Sequence, residues 1–303
     1  MKSSLEKHVG DVLTGEIAQD VNNKWLILFH HQKIDGLLPK AHVPYISERD
    51  TGSCIDVLVT GIQRTPTGYT LSLDRNVDYL LKLTQDIDGV RNGDVTVYKA
   101  VRVPGERSKI SVMGDMGAFI GKWGANKEHL CEVLHDRAMD VIQITGNERQ
   151  EKLILDALNL TLPMRVDLDE WRRHALVHVP NDMMGITLGR NRVNLRLAME
   201  LLDYKISVQA LADDFIYHQE FPIHIISDLV RARLFSSDDL ADLVTYGKGK
   251  EHMSANTYEY LCDMIEVQDE EEEYECPECG GKFTGEQNTC PHCGVTLEFE
   301  SGT

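Results

Sequence analysis

Four cysteines near the C-terminus, Cys276, Cys279, Cys290 and Cys293, form two pairs with two residues inside each pair and ten between the pairs. Thiolates at that spacing converge tetrahedrally on one Zn²⁺ and leave no open coordination position for catalysis. The ion expected here is structural, folding a ribbon of about 25 residues that is too small to bury a core of its own. Gly280, Gly281 and Gly294 permit the tight turns beside the thiolates. His292 is expected at the surface. The other cysteines, Cys54, Cys131 and Cys262, are scattered, which fits a reducing compartment.

A second chemistry belongs to Gly121-Lys122-Trp123-Gly124. Two glycines flanking two free residues between helices let a nucleic-acid backbone approach closely, with Lys122 supplying a cation and helix N–H groups facing the phosphates. Alone, such a string marks an ordinary loop. Here it lies in the order strand, strand, helix, loop, helix, strand, and that order recurs around Gly189-Arg190-Asn191-Arg192, 68 residues later. This is the arrangement of a KH-type clamp, twice over. Two readings of Trp123 stay open: a ring stacking on a base, or one buried against a neighbouring module.

The elements that must position these loops follow from periodicity. Residues 1–75 alternate apolar and polar positions in short runs: 11–17, 25–29, 55–59 and 69–73. Turns are expected at Asn22-Asn23, Asp35-Gly36, Thr51-Gly52 and Pro66-Thr67-Gly68. About five strands in that length suit an OB-type β-barrel, which binds single strands by stacking and phosphate contact. Lys24, Trp25, Phe29, His31 and His42 lie on or near the strand faces that would do so. Trp25 and Phe29 share parity on one strand, and that face is either the binding face or the core.

Residues 76–146 and 147–210 each read as a complete small α+β unit. The strands are Val95 to Val103, Ser108 to Met113, Asp140 to Ile144, Met164 to Asp169, Ala175 to Val179 and Lys205 to Val208. Residues 211–267 read as short helices, with Ser236 or Ser237 as an N-cap. An acidic linker, Asp269 to Glu273, and the ribbon fill 268–303. The fold class expected is α+β multidomain: a five-stranded OB-type barrel, two tandem KH type II domains, a small acidic helical module and a Cys₄ zinc ribbon.

The formal charge of −18 argues against nucleic acid if taken whole, but it is unevenly spread. Residues 211–275 hold 4 basic and 17 acidic side chains, whereas 90–210 hold 17 and 16. The double-module region is near neutral. Its candidate phosphate contacts are Lys99, Arg102, Arg107, Lys109, Lys122, Lys127, Arg190, Arg192 and Arg196. No apolar run reaches the ~18 residues of a membrane span, and no signal-peptide stretch follows Met1, so a soluble cytoplasmic protein without membrane partners is expected.

Together these residues resemble the NusA family of transcription elongation, pausing and termination factors. The likeness rests on Val9-Gly10-Asp11-Val12 through Leu71-Ser72-Leu73-Asp74-Arg75, including Asp35-Gly36-Leu37-Leu38-Pro39, which looks like a ribosomal-protein RNA-binding OB domain. It rests also on Asp94-Val95 through Val112 and on Asn194-Leu195-Arg196-Leu197-Ala198 before Tyr204-Lys205-Ile206. The resemblance covers residues 5–210. It implies single-stranded RNA as partner and regulation of elongation, pausing, termination or antitermination, with no catalytic activity. The family usually places a polymerase-binding domain ahead of the barrel. This chain begins at the barrel, so contact by that route is expected to be absent. RNA polymerase or another transcription protein would be met through the C-terminal modules, where residues 221–265 resemble the acidic helical repeats that end some members; Gly247-Lys248-Gly249 is alternatively a nucleic-acid hairpin.

In the second copy Arg192 stands where the second motif glycine is expected, giving more charge and a bulkier approach. Rival readings are a scaffold recruiting proteins through the acidic helices and ribbon, an RNA-processing or translation-associated binder, and a nuclease. No nucleophile elbow, P-loop or HExxH string supports an enzyme.

Overall fold

The computed structural model describes residues 5–66, 68–268, 273–275, 278–284, 289 and 291–296. Contacts divide the chain into two compact units, 1–212 and 213–303.

The first unit opens with a closed barrel of β1 (Val12–Val21), β2 (Lys24–Phe29), β3 (Ile34–Pro39), β4 (Cys54–Thr65) and β5 (Gly68–Asp74), in the spatial order β1-β2-β3-β5-β4. All pairings are antiparallel except β3 with β5. Alternation along β2 sends Trp25, Ile27 and Phe29 inward to meet Ile17, Leu38, Val57 and Leu71. Asp35-Gly36, expected as a turn, lies inside β3, with Gly36 opposite both Ile27 and Leu71. The chain stays extended there because β3 must bridge β2 and β5 to close the barrel.

Two α+β modules follow. The first comprises α1 (Val77–Thr84), α2 (Asp88–Arg91), β6 (Val95–Val103), β7 (Arg107–Gly114), α3 (Met116–Ile120), α4 (Ala125–Leu134) and β8 (Ala138–Gln143). Its sheet order is β6-β7-β8, with β6·β7 antiparallel and β7·β8 parallel. The second comprises α5 (Gln150–Ala157), β9 (Arg165–Asp169), β10 (His174–Val179), α6 (Met184–Leu188), α7 (Val193–Leu202) and β11 (Lys205–Ala210). Its strands pair in the same order and senses. In each, an amphipathic helix lies on the sheet's apolar face: Leu130 and Leu134 of α4, Leu197, Ala198 and Leu201 of α7. The same helix α7 also packs on β6 and β7 of the first module.

Arg75 and Arg102 join barrel to first module. The Arg75 guanidinium donates to Tyr45 Oη at 2.9 Å in the barrel and to Val133 O of the module. Arg102 forms a two-pronged pair with Asp136 (2.7 and 2.8 Å), both side chains fully buried, and also donates to Leu134 O at 2.8 Å and to Arg75 O. Arg102 is thus a structural residue, not one of the phosphate contacts expected.

Tyr45 and His135 meet across this joint with ring centroids 4.2 Å apart and planes tilted by 38°. Burial, and then the nearby Arg75 charge, hold the His135 imidazole below its ordinary pKa of 6.5. A histidine with a lowered folded pKa takes its proton more readily when unfolded. Its contribution is therefore complete above about pH 6.5 and is lost as pH falls from there through the folded value. Urea unfolding at pH 7.5 and 5.5 should show the first unit weaker at the lower pH, with a smaller difference in His135→Asn; equal pH dependence in the two proteins contradicts this.

The second unit carries α8 (Ile223–Ala232), α9 (Ser237–Tyr246) and α10 (Ala255–Gln268), then the short antiparallel pair β12 (Glu273–Glu275) and β13 (Lys282–Thr284). Ser236 is the α9 N-cap, exchanging hydrogen bonds with Asp239 in a capping box. Asp228 of α8 accepts from Ser254 N at 3.1 Å and Thr257 Oγ1 at 2.7 Å, fixing the start of α10. Part of this module's acidity is therefore spent on holding its own helices. Among the described residues, no helix is long and apolar enough to cross a membrane.

Candidate nucleic-acid interface

The two loops have the same backbone. Gly121 sits at φ 79°, ψ 168° and Gly189 at φ 70°, ψ 167°; Trp123 and Asn191 follow at φ 58° and 51°. Gly124 and Arg192 both enter the next helix from the left-handed region, at φ 85° and 57°. A side chain at Gly121 would come within 2.8 Å of Asn126, and one at Gly189 within 2.7 Å of Asn194. Glycine is required at both by conformation and by space.

An asparagine five residues past each first glycine explains that crowding. Asn126 Nδ2 donates to Phe119 O at 3.1 Å, and Asn194 Nδ2 donates to Thr187 O at 2.9 Å. Each amide ties the helix before the loop to the helix after it. The 68-residue offset holds for glycine, asparagine and carbonyl alike, a repeat wider than the four-residue string and readable from Asn126 and Asn194 in the sequence. Gly121 N and Gly189 N donate back to Gly117 O (2.8 Å) and Gly185 O (2.9 Å), closing the helix ends.

The loops present Lys122, Trp123, Arg190, Asn191 and Arg192 to solvent. Trp123 is 90% exposed, so the ring is not buried against a neighbouring module among the described residues. Arg192 adopts the left-handed conformation that glycine has in the first loop, so the backbone path is kept while side-chain bulk and charge are added.

Other expected contacts lie elsewhere. Trp25 and Phe29 are each 1% exposed and belong to the barrel core, which resolves their shared parity against a stacking face. Lys40 Nζ lies 4.3 Å from the Trp25 ring centroid. Lys24 is half-buried and His31 exposed. His42 Nδ1 is 3.1 Å from Asp74 Oδ1 and faces the Arg75 N–H, at the exit of the barrel. Burial raises the Asp74 pKa, but hydrogen bonds from His42 and from the Tyr79 and Asn76 N–H groups outweigh it and leave the carboxyl below its ordinary range.

Lys109 is fully buried and pairs with Asp140 at 2.6 Å; Arg107 donates to Asn194 Oδ1 at 2.6 Å; the Lys99 ammonium donates to Glu200 O. Burial lowers the Lys109 pKa and Asp140 pulls it part of the way back. These cations lie between the two modules, where α7 covers the outer face of β6 and β7. Alternation along a strand distinguishes its two faces but gives no sign that a later module covers the polar one.

Trp171, 93% exposed in the β9–β10 turn beside Arg172, escaped the sequence reading because it lies in no motif and on no apolar periodicity. In the second unit Lys248 Nζ pairs with Asp242 at 3.0 Å, which lowers its availability to phosphate.

Of the four cysteines, Cys276 and Cys290 lie outside the described residues. Around the other two, Gly280 and Gly294 follow Cys279 and Cys293 at φ 66° and 74°, and the His292 ring packs against Gly281 while its Nε2 meets Lys282 O at 2.9 Å. The segments carrying Cys279 and Cys293 are thus held side by side.

Residues 75–144 match the model of the NusA-like first KH domain. The chain is also similar to the transcription termination/antitermination protein NusA of Borreliella burgdorferi, 26% identical over 221 residues, covering 68% of this chain and 44% of that protein. The NusA of Bacillus subtilis is 26% identical over 212 residues, 67% and 56% of the two chains, and that of Thermus thermophilus 26% over 205 residues, 65% and 52%. The chain spans about half the length of the curated relatives it matches. The first clamp lies inside the matched domain, and over about two thirds of its length the chain is similar to NusA proteins.

Proposed function

We propose that this chain binds single-stranded RNA along an OB-type barrel and two KH-type modules, and through that RNA regulates transcription elongation, pausing, termination or antitermination. The observation that carries the reading is the pair of loops with one backbone conformation, exposed cations and an exposed tryptophan, one of them inside a domain of the NusA-like first KH type. KH loops of this kind clamp about four nucleotides each. The second module is read as a second KH domain because its strand order, loop dihedrals and bridging asparagine repeat those of the first. The chain acts by binding and carries out no catalysis. Timed transcription assays with and without the protein should change pause lifetime or termination efficiency, and the change should vanish with Lys122→Asp, Trp123→Asp; an unaltered pattern with the natural protein contradicts the reading.

In the same reading Cys276, Cys279, Cys290 and Cys293 hold one structural Zn²⁺. The ribbon and acidic helices form the protein-binding end, with RNA polymerase or another transcription protein as partner. Metal analysis of the purified chain should return about one zinc per chain, lost in Cys279→Ser and on chelation. RNA binding by the first unit should persist after zinc loss; a chain that purifies without zinc contradicts the assignment.

A further inference from the structure

Arg107 and Lys99 have the sequence character of phosphate-binding cations, yet both are engaged in the seam where α7 crosses β6 and β7. Arg107 donates at 2.6 Å to Asn194 Oδ1, near the N-terminus of α7, and lies 3.6 Å from Asp140 Oδ2. Lys99 donates to Glu200 O, toward the other end of α7. The Asp140 carboxylate also accepts from Lys109 at 2.6 Å and from Asn159 Nδ2 at 3.0 Å.

Asn194 is the side chain that holds the second loop. It is 1% exposed, its Nδ2 donates to Thr187 O at 2.9 Å and Leu158 O at 3.0 Å, and its Cβ would be the first atom struck by a side chain at Gly189. One amide therefore carries both connections: its nitrogen ties the loop's own shoulders, and its oxygen is bound by an arginine of the other module.

We propose that Arg107 and Lys99 are positioning residues that set the second RNA loop relative to the first, Arg107 through Asn194, and that neither contacts RNA phosphate. The proposal rests on the RNA reading above. Two clamps on one strand gain from each other only when their spacing fits the strand, so loosening the seam should cost affinity only for RNA long enough to occupy both.

The test is fluorescence anisotropy with RNAs of about 5 and about 20 nucleotides over a salt series, since one KH clamp holds about four nucleotides. The full-length natural protein is compared with Arg107→Gln, Arg107→Lys and Lys99→Met, with folding checked by circular dichroism and melting. Expected for Arg107→Gln and Lys99→Met is a loss of about tenfold or more on the long RNA, less than about twofold on the short one, and an unchanged slope of log K against log salt. Arg107→Lys should behave as Arg107→Gln, because a lysine keeps the charge but not the fork that reaches Asn194. Loss of about 0.7 from the slope in Arg107→Gln, with rescue by Arg107→Lys, would identify a phosphate contact and overturn the proposal. Equal losses on both lengths would also overturn it, and Lys99→Met decides this if the Arg107 variants do not fold. Absence of binding by the natural protein to either RNA would overturn the RNA reading and this proposal together.

Discussion

Changing Lys122 and Trp123 together to aspartate is expected to lower affinity for single-stranded RNA about 100-fold or more, with the circular dichroism spectrum and melting temperature unchanged. The size follows from the two interactions removed. A base stacked on an aromatic ring is worth about 1–3 kcal/mol, and reversing a cation beside a phosphate adds repulsion to the loss of a released counterion. The fold should be indifferent because Trp123 is 90% exposed, Lys122 is exposed, and neither glycine changes. Anisotropy at low salt reads the effect. A loss of less than about threefold would show that the first loop does not clamp RNA.

The largest effect on stability is expected at Asp136. Its carboxylate takes both prongs of Arg102, the Ser108 hydroxyl, and the Gly105 N–H at 2.8 Å. With both charged side chains fully buried, Asp136→Ala leaves Arg102 with an uncompensated charge, which costs about 3–5 kcal/mol. The comparison is Asp88→Ala, which removes the exposed 3.4 Å pair with Arg91 and should cost less than about 1 kcal/mol. Urea unfolding of the two variants should therefore differ strongly. Since Arg102 also reaches Arg75 O, the loss should appear as loosening of barrel from first module, visible as protease cleavage between them. A cost below about 1 kcal/mol for Asp136→Ala would mean that water reaches and solvates this pair.

What the sequence made legible was set by local rules. The duplicated order of strands and helices, the two loops, the Ser236 cap and the barrel's alternation depend on neighbouring residues, and the described elements follow them within a few positions. β3 was missed because Asp35-Gly36 has turn chemistry, while barrel closure, a long-range requirement, holds it extended. Lys109 is buried, and Arg107 engaged, for a related reason: on β7 they alternate with Ser108 and Ile110 as solvent-facing residues should, but α7, more than 80 residues away in the chain, packs on that strand. Trp25 shows the complementary limit. Parity placed it with Phe29 on one face, but only the closed barrel tells inside from outside.

The same distinction separates the two modules' loops. Glycine at 121 and 189 could be read directly, whereas the equivalence of Arg192 with Gly124 needed backbone angles, since a residue other than glycine in the left-handed region leaves no mark in the sequence. The bridging asparagines were available as a repeat, and in retrospect Asn126 and Asn194 are a firmer sign of duplication than the string Gly-x-x-Gly itself.

The central claim is that both loops hold one RNA strand. Ultraviolet cross-linking of the intact protein to a single-stranded RNA of about 20 nucleotides, followed by peptide mapping, tests it most directly, because each clamp covers about four nucleotides and such a strand can reach both. Cross-linked peptides containing Trp123 and Asn191, both diminished by added salt, are the result predicted. Cross-links confined to the acidic helices or ribbon, or none at low salt, would contradict it.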